Sequence, residues 1–186
     1  YAADLREGPL QAARRSAERE GIGENLIFCL SDGLHNLDVS RIQTVICAGM
    51  GGDTIMHILG EAPAVRTESK QLILQPQSRV GELRRWLAEQ GFDLLRERLS
   101  RDGKFLYTAM EVRYSGTVCH LTPGQALLPE QLLHSGDSLL EDYYSRTLRK
   151  VERTMDGLQR AKQPDLELLE YFEAARRELQ EMEEAL

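Results

Sequence analysis

Much is missing from this 186-residue sequence. Its three cysteines, Cys29, Cys47 and Cys119, are scattered and form no C-x-x-C pair. Cys29 and Cys47 fall in apolar, strand-like runs and read as buried, inert thiols, which fits a reducing cytoplasm. The four histidines, His35, His57, His120 and His134, share no metal-ligand spacing, so no metal is expected. No apolar run approaches the ~20 residues that a membrane-spanning helix needs. No secretory leader is expected from its opening residues. It begins on Tyr1, within what reads as a fold, and a further N-terminal piece is expected to precede it.

Positive charge is also scarce. The formal net charge is -7, which argues against a protein that simply coats nucleic acid. The imbalance is local: residues 1–115 carry 15 basic and 16 acidic side chains, whereas residues 164–186 carry Arg176 and Arg177 against eight acids. Acidity is therefore mainly a C-terminal property, and an RNA substrate elsewhere on the surface stays compatible with it.

Up to about residue 115, short apolar runs alternate with amphipathic stretches. Strands are expected up to Ala3 and over Leu26–Leu30, Gln43–Ala48 and Gln71–Gln75. Helices are expected over Pro9–Glu20, Thr54–Leu59 and Val80–Gln90. This order predicts βαβ units in a parallel sheet with helices on both faces. Each apolar run ends in a turn signal: "DLREGP", "SDGL", "AGMGG" and "QPQS". In open α/β sheets the ligand crevice lies at that end of the strands, so the four loops should share one rim. Two long strand-like runs then flank Asp102-Gly103, a hairpin signal. A parallel sheet closed by an antiparallel hairpin is the pattern of Rossmann-like methyltransferases.

Beyond a linker with Pro123, Gly124 and Pro129, the pattern becomes helical. Leu168, Phe172, Ala175, Leu179, Met182 and Leu186 repeat at steps of four and three, a heptad seam. Leu140, Tyr144, Thr147, Val151 and Leu158 form a matching stripe, with Pro164 between the two. This reads as an antiparallel helical hairpin with a coiled-coil-like seam. Opposite the first stripe, Arg146, Arg149, Lys150, Arg153 and Arg160 fall within ~100° of one another on the helix. Such a face is either solvated or able to follow a phosphate backbone. The expected domains are residues 1–116 for the sheet, 117–135 for the linker and 136–186 for the hairpin.

The run "VICAGMGGDTI" carries three glycines and no Ser, His or Lys. As a dinucleotide loop it fails, because Thr54 stands where G-x-G-x-x-G needs its third glycine, and the next strand, "QLILQPQ", ends without a ribose-binding acid. The order of features suggests another use. Asp4 follows the first apolar run and can accept both ribose hydroxyls of a nucleoside. Asp32 follows the second and can accept an adenine amino group, while the Gly33 N–H meets a ring nitrogen. Ala48, Gly49, Met50, Gly51 and Gly52 follow the third, where glycines let the backbone approach both a methyl donor and a flat acceptor base. Met50 either packs on an adenine face or fills the core.

"GPLQAA", "DGL", "AGMGG", "LILQP" followed by "LRRWL", and the Asp-Gly-Lys turn together resemble bacterial tRNA (adenine-N1)-methyltransferases that modify position 22. The resemblance runs from about Ala2 to Tyr114. It implies a class I enzyme that uses S-adenosyl-L-methionine to methylate N1 of an adenine in tRNA, in the cytoplasm, without metal or membrane. Asp4, Asp32, Gly33, Ala48 and Gly49 would bind cofactor, and Gly49–Gly52 would position base and methyl. The family's first strand, and the Asp-x-Gly-Ser-Asp-His-Ala loop that grips the methionine part of the cofactor, are expected before Tyr1. The alternatives are a catalytically impaired RNA- or partner-binding module and a methyltransferase of the same fold with another substrate; an NAD enzyme is disfavoured by the failed glycine pattern.

Overall fold

The computed structural model describes residues 1–183. Leu186, the last position of the expected heptad seam, lies outside the described residues. Strands β1 (Ala2–Asp4) and β2 (Phe28–Leu30) pair in parallel through the intervening helix α1 (Glu7–Arg19). Strands β3 (Thr44–Gly51) and β4 (Gln71–Ser78) are parallel, joined by α2 (Gly52–Gly60). Helix α3 (Val80–Glu89) leads to β5 (Phe92–Asp102), which turns at Gly103 into β6 (Phe105–Tyr114). The four-stranded sheet has the order β3-β4-β6-β5, and β6 inserts antiparallel beside β4. The Rossmann-like sheet with a terminal antiparallel hairpin is as expected from the sequence.

Alternation along β3 sets where the core lies. Val45 and Cys47 point inward onto Ile55 and Leu59 of α2, with Leu72 and Leu74 of β4 and Leu83 and Leu87 of α3 in the same buried cluster. The other face of β3 carries Thr44, Ile46 and Ala48, all exposed, with Ile46 at 68%. Helices α2 and α3 cover the face of Val45 and Cys47. β1 and β3 do not pair, and a cleft separates their ladders.

The segment expected as a linker folds. Thr122 caps α4 (Pro123–Leu127) in a capping box with Gln125, and α5 (Glu130–Leu133) follows. Leu128 and Leu132 are fully buried, a contribution of roughly 1.5–3 kcal/mol each. They join Leu140, Tyr144, Val151 and Met155 of α6 (Leu140–Gln159), Leu179 of α7 (Leu166–Met182) and Leu99 of β5 in a second core. Met155 fills the place in the α6 stripe that the sequence pattern passes over, and Leu158 is only half-buried. Asp165 caps α7 by accepting from the Leu168 N–H at 3.0 Å.

Arg84 of α3 fastens the two cores together. Its side chain is 1% exposed and pairs with Glu97 of β5, which is fully buried and also accepts from the Thr108 hydroxyl. Arg84 further donates to the carbonyls of Ala126 at 2.8 Å and Leu127 at 2.9 Å, and to the Tyr143 hydroxyl at 3.0 Å. Burial alone would lower the Arg84 pKa, but the Glu97 charge and the Tyr143 contact outweigh it and hold the guanidinium charged.

Candidate functional site

The cleft between β1 and β3 has a volume of about 560 Å³ and is framed by the loops after three strands. The first loop supplies Asp4, whose backbone carbonyl accepts from the Ser31 N–H at 3.0 Å and so ties the first two loops together. Among the described residues the Asp4 carboxylate takes one hydrogen bond, from the Arg6 N–H to Oδ1 at 2.8 Å, and Asp4 lines the cleft. The second loop is shaped by Asn36. Its N–H donates to the Ser31 hydroxyl at 3.1 Å and its side-chain amide to the Leu30 carbonyl at 3.1 Å. Asp32 is exposed at the mouth of the cleft. Gly33 follows with φ +55°, and a Cβ there would come within 2.9 Å of Ile58, so the turn needs glycine on two counts. Leu34, Leu37 and Ile58 give the cleft an apolar wall.

The third loop continues β3. Ala48, Gly49 and Met50 line the cleft, and Met50 is half-buried and also packs on the sheet core. Gly49 has φ +75°, a conformation that an L side chain resists. Its N–H donates to the Gln75 Oε1 at 2.8 Å, while the Gln75 amide nitrogen donates to the Pro76 carbonyl at 3.3 Å. The glycine turn is therefore held from β4.

The structure thus gathers Asp4, Asp32, Gly33, Ala48, Gly49 and Met50 at one cleft. Gly51 and Gly52 turn elsewhere. Gly51 caps α2, and a Cβ on it would stand 3.2 Å from the Ser78 hydroxyl. Gly52 is buried, and a Cβ there would reach the Ser78 and Arg79 carbonyls at 2.8 and 2.9 Å. These two glycines let the β4–α3 loop pack closely on the start of α2.

That loop also holds Arg79. Arg79 has φ +53°, the single non-glycine residue with positive φ among the described residues. Its Nη1 donates to both carboxylate oxygens of Asp53, at 2.8 and 2.9 Å, and Glu82 lies 3.5 Å away. The Asp53 hydrogen bond and charge raise the Arg79 pKa above its ordinary value. Strained backbone of this kind concentrates at functional sites. No short-range pattern carries this signal, because Arg79 and Asp53 meet only through the β3–β4 pairing.

The basic face of α6 divides in two. Arg146 is engaged: its Nε donates to Asp142 at 2.9 Å and its Nη1 to the Lys104 carbonyl at 2.8 Å. The Arg146 hydrogen bond, assisted by Arg101, keeps the Asp142 carboxyl below its usual pKa. Arg149, Lys150 and Arg153 are exposed and flank Arg146 around one shallow recess. Arg160 caps the helix end, exposed and outside that recess. Arg84 is buried in its pairing with Glu97 and adds nothing to this face.

A family model described as a methyltransferase domain matches residues 1–110. The tRNA (adenine(22)-N(1))-methyltransferase of Bacillus subtilis (strain 168) is 33% identical over 104 residues, which cover 55% of this chain and 44% of that protein. The chain spans between 44% and 64% of the length of the curated relatives it matches. Among solved structures, the B. subtilis m1A22 tRNA methyltransferase superposes with a TM-score of 0.78 at 20% identity, covering 97% of this chain and 80% of that one. TrmK from M. capricolum, solved with the natural cofactor product S-adenosyl-homocysteine, gives 0.75 at 19% identity, covering 100% and 80%. At these identities the superpositions establish the fold. Among the described residues no helix is long and apolar enough to cross a membrane, and no cluster of three or more His, Cys, Asp or Glu is arranged to hold a metal ion.

Proposed function

The chain belongs to the methyltransferase-domain family, and from that premise we propose that it takes part in S-adenosyl-L-methionine-dependent methylation of N1 of adenine 22 in tRNA. The observation that carries this reading is the convergence of Asp4, Asp32, Gly33, Ala48 and Gly49 on one cleft. The donors and acceptors there fit the nucleoside half of the cofactor. The Asp4 carboxylate suits a ribose diol, the exposed Asp32 carboxylate suits an adenine amino group, and Leu34, Leu37 and Ile58 suit the faces of a flat ring.

The cofactor, when bound, supplies a methyl group on a sulfonium sulfur that leaves as a neutral thioether. N1 of neutral adenine has an in-plane lone pair and needs no side-chain base to attack. Attack moves the positive charge from sulfur to the ring, so the step balances with no proton transferred. What remains for the protein is positioning. Gly49 has no side chain to block a flat base, and Gln75 fixes its turn. N1 lies on the Watson–Crick edge, so the target must be unpaired or flipped out. A tRNA is far larger than the cleft, and Arg149, Lys150, Arg153 and Arg160 supply a face that can track its backbone.

The test is to incubate the full-length gene product with methyl-labelled S-adenosyl-L-methionine and unmodified tRNA, then digest the RNA to nucleosides. Label in N1-methyladenosine is expected. Label in another nucleoside, or none in the presence of bound cofactor, overturns the reading.

A further inference from the structure

A second recess, of about 400 Å³, lies where α6 and α7 meet α3. It falls within the ~300–1,000 Å³ range of small-ligand sites. Its surface is built from planar groups. The Arg85 guanidinium stands over the Tyr171 ring, 5.2 Å from the centroid. Phe172 packs edge-on to Tyr171 at 5.3 Å and an interplanar angle of 88°, which holds the Tyr171 ring in place. An Arg on a Tyr face is a platform to which a further flat ring can add.

The charges around the platform are unevenly engaged. Asp165 is occupied in capping α7, and Glu82 faces Arg79. Arg85 and Lys150 form no ion pair among the described residues. Glu167, also exposed at the rim, makes no side-chain hydrogen bond among them. The recess therefore offers two cations for a phosphate, a stacking surface for a base and a carboxylate for an exocyclic amino group.

Its position names the occupant. Lys150 also lines the shallow recess of Arg146, Arg149 and Arg153, so the basic face of α6 opens directly into this one. At the other side, Glu82 adjoins Arg79, which is clasped to Asp53 in the first turn after the glycine loop. The recess thus sits between the basic face and the methyl-transfer cleft. We propose that it receives one unpaired nucleobase of the RNA substrate, stacked on Arg85 and Tyr171, with the adjoining phosphate on Lys150. This rests on the reading of the chain as an RNA methyltransferase, and it adds a second base-binding point besides the one for the target adenine.

Three variants of the full-length protein test it: Tyr171→Leu, Tyr171→Phe and Arg85→Gln. Both the equilibrium affinity for fluorescently labelled unmodified tRNA and steady-state methylation are measured. Removing one stacking partner should weaken tRNA binding and raise KM for tRNA on the order of tenfold. kcat and the affinity for S-adenosyl-L-methionine should stay within about twofold, because the recess lies outside the cleft. Tyr171→Phe keeps the ring and should behave like the parent. Arg85→Gln removes the other plane without touching the seam, so it reports even where Tyr171→Leu lowers the melting temperature. Affinity within twofold of the parent for both Tyr171→Leu and Arg85→Gln overturns the proposal, as does a Tyr171→Phe variant as weak as Tyr171→Leu. Free adenosine monophosphate is titrated in parallel: if it binds through Tyr171 while tRNA affinity is unaffected by the variants, the recess serves a free nucleotide and the RNA proposal fails. If the variants weaken tRNA binding but no N1-methyladenosine is formed by the parent, the recess stands and the catalytic reading falls.

Discussion

Replacing Glu97 by Gln should be among the most damaging single changes in this fold, although it alters only one charge. The Arg84 side chain is 1% exposed and that of Glu97 is 0% exposed, so the guanidinium has no access to water when its partner becomes neutral. Arg84 keeps its bonds to the Ala126 and Leu127 carbonyls and to Tyr143, and the new amide oxygen can still accept from Thr108. What is lost is the counter-charge and the acceptor for the Arg84 Nε–H, and breaking a buried pair from one side costs about 3–5 kcal/mol. The retained hydrogen bonds argue for the lower end, about 3 kcal/mol. With a urea slope of roughly 2–3 kcal/mol per molar, the midpoint should fall by about 1–1.5 M. Trp86, the one tryptophan, lies two residues from Arg84 in α3 and reports the transition by fluorescence. The double variant Arg84→Met with Glu97→Met should lose less than the sum of the two single changes, since it leaves no buried charge. A Glu97→Gln variant within about 1 kcal/mol of the parent would refute the view that this pair welds the hairpin to the sheet.

Four further outcomes are expected. Asp32→Ala in the full-length protein should weaken S-adenosyl-L-methionine binding by roughly 1–3 kcal/mol, measured by calorimetry; unchanged affinity in a folded variant removes Asp32 from the site. Gly51→Val should sharply reduce turnover with the fold largely retained, because its Cβ meets the Ser78 hydroxyl at 3.2 Å and its bulk displaces the loop after Gly49; full activity in a stable variant would detach this loop from catalysis. Arg149→Gln with Arg153→Gln should weaken tRNA binding similarly across sequences and lower the salt slope by about two, with cofactor affinity unchanged; identical binding at every salt concentration would make the stripe a solvated face. Burial pushes the Cys47 thiol up to about 11. At pH 8 only ~1 in 1,000 such thiols is ionised, so iodoacetamide followed by mass spectrometry should label exposed Cys119 and spare Cys47 until the protein unfolds.

The parts of the fold legible in the sequence are those written in short-range patterns. Apolar runs ending in turn residues locate β1 to β4 and the loops that meet at the cleft, and Asp102-Gly103 marks the hairpin. The helical hairpin follows from its seam, although Leu168 is 40% exposed at the edge of the second recess. What could not be read depends on side chains brought together across the chain. Arg84 and Glu97 look like ordinary surface charges on an amphipathic helix and a polar strand; only packing of α4 and α6 over them makes them buried. Gln75 and Arg79 gain their roles from the β3–β4 register, which places β4's end against the glycine turn. The presumed linker contributes core residues because the sheet's β5 and the α6–α7 pair leave an apolar gap that Leu128 and Leu132 fill. The site residues were partly separable in advance: the strand-end acids converge, whereas Gly51 and Gly52 look alike in sequence to Gly49 and differ only in what a Cβ would strike.

The most direct measurement is to give the full-length protein S-adenosyl-L-methionine and a transcript of its own tRNA, and to map the product by reverse transcription, which N1-methyladenosine blocks. A single stop at position 22 is expected, lost when that adenine is replaced by guanine and lost in the Gly51→Val variant. A stop at another position, or an unchanged yield of methylated nucleoside from the guanine-substituted transcript, would contradict it.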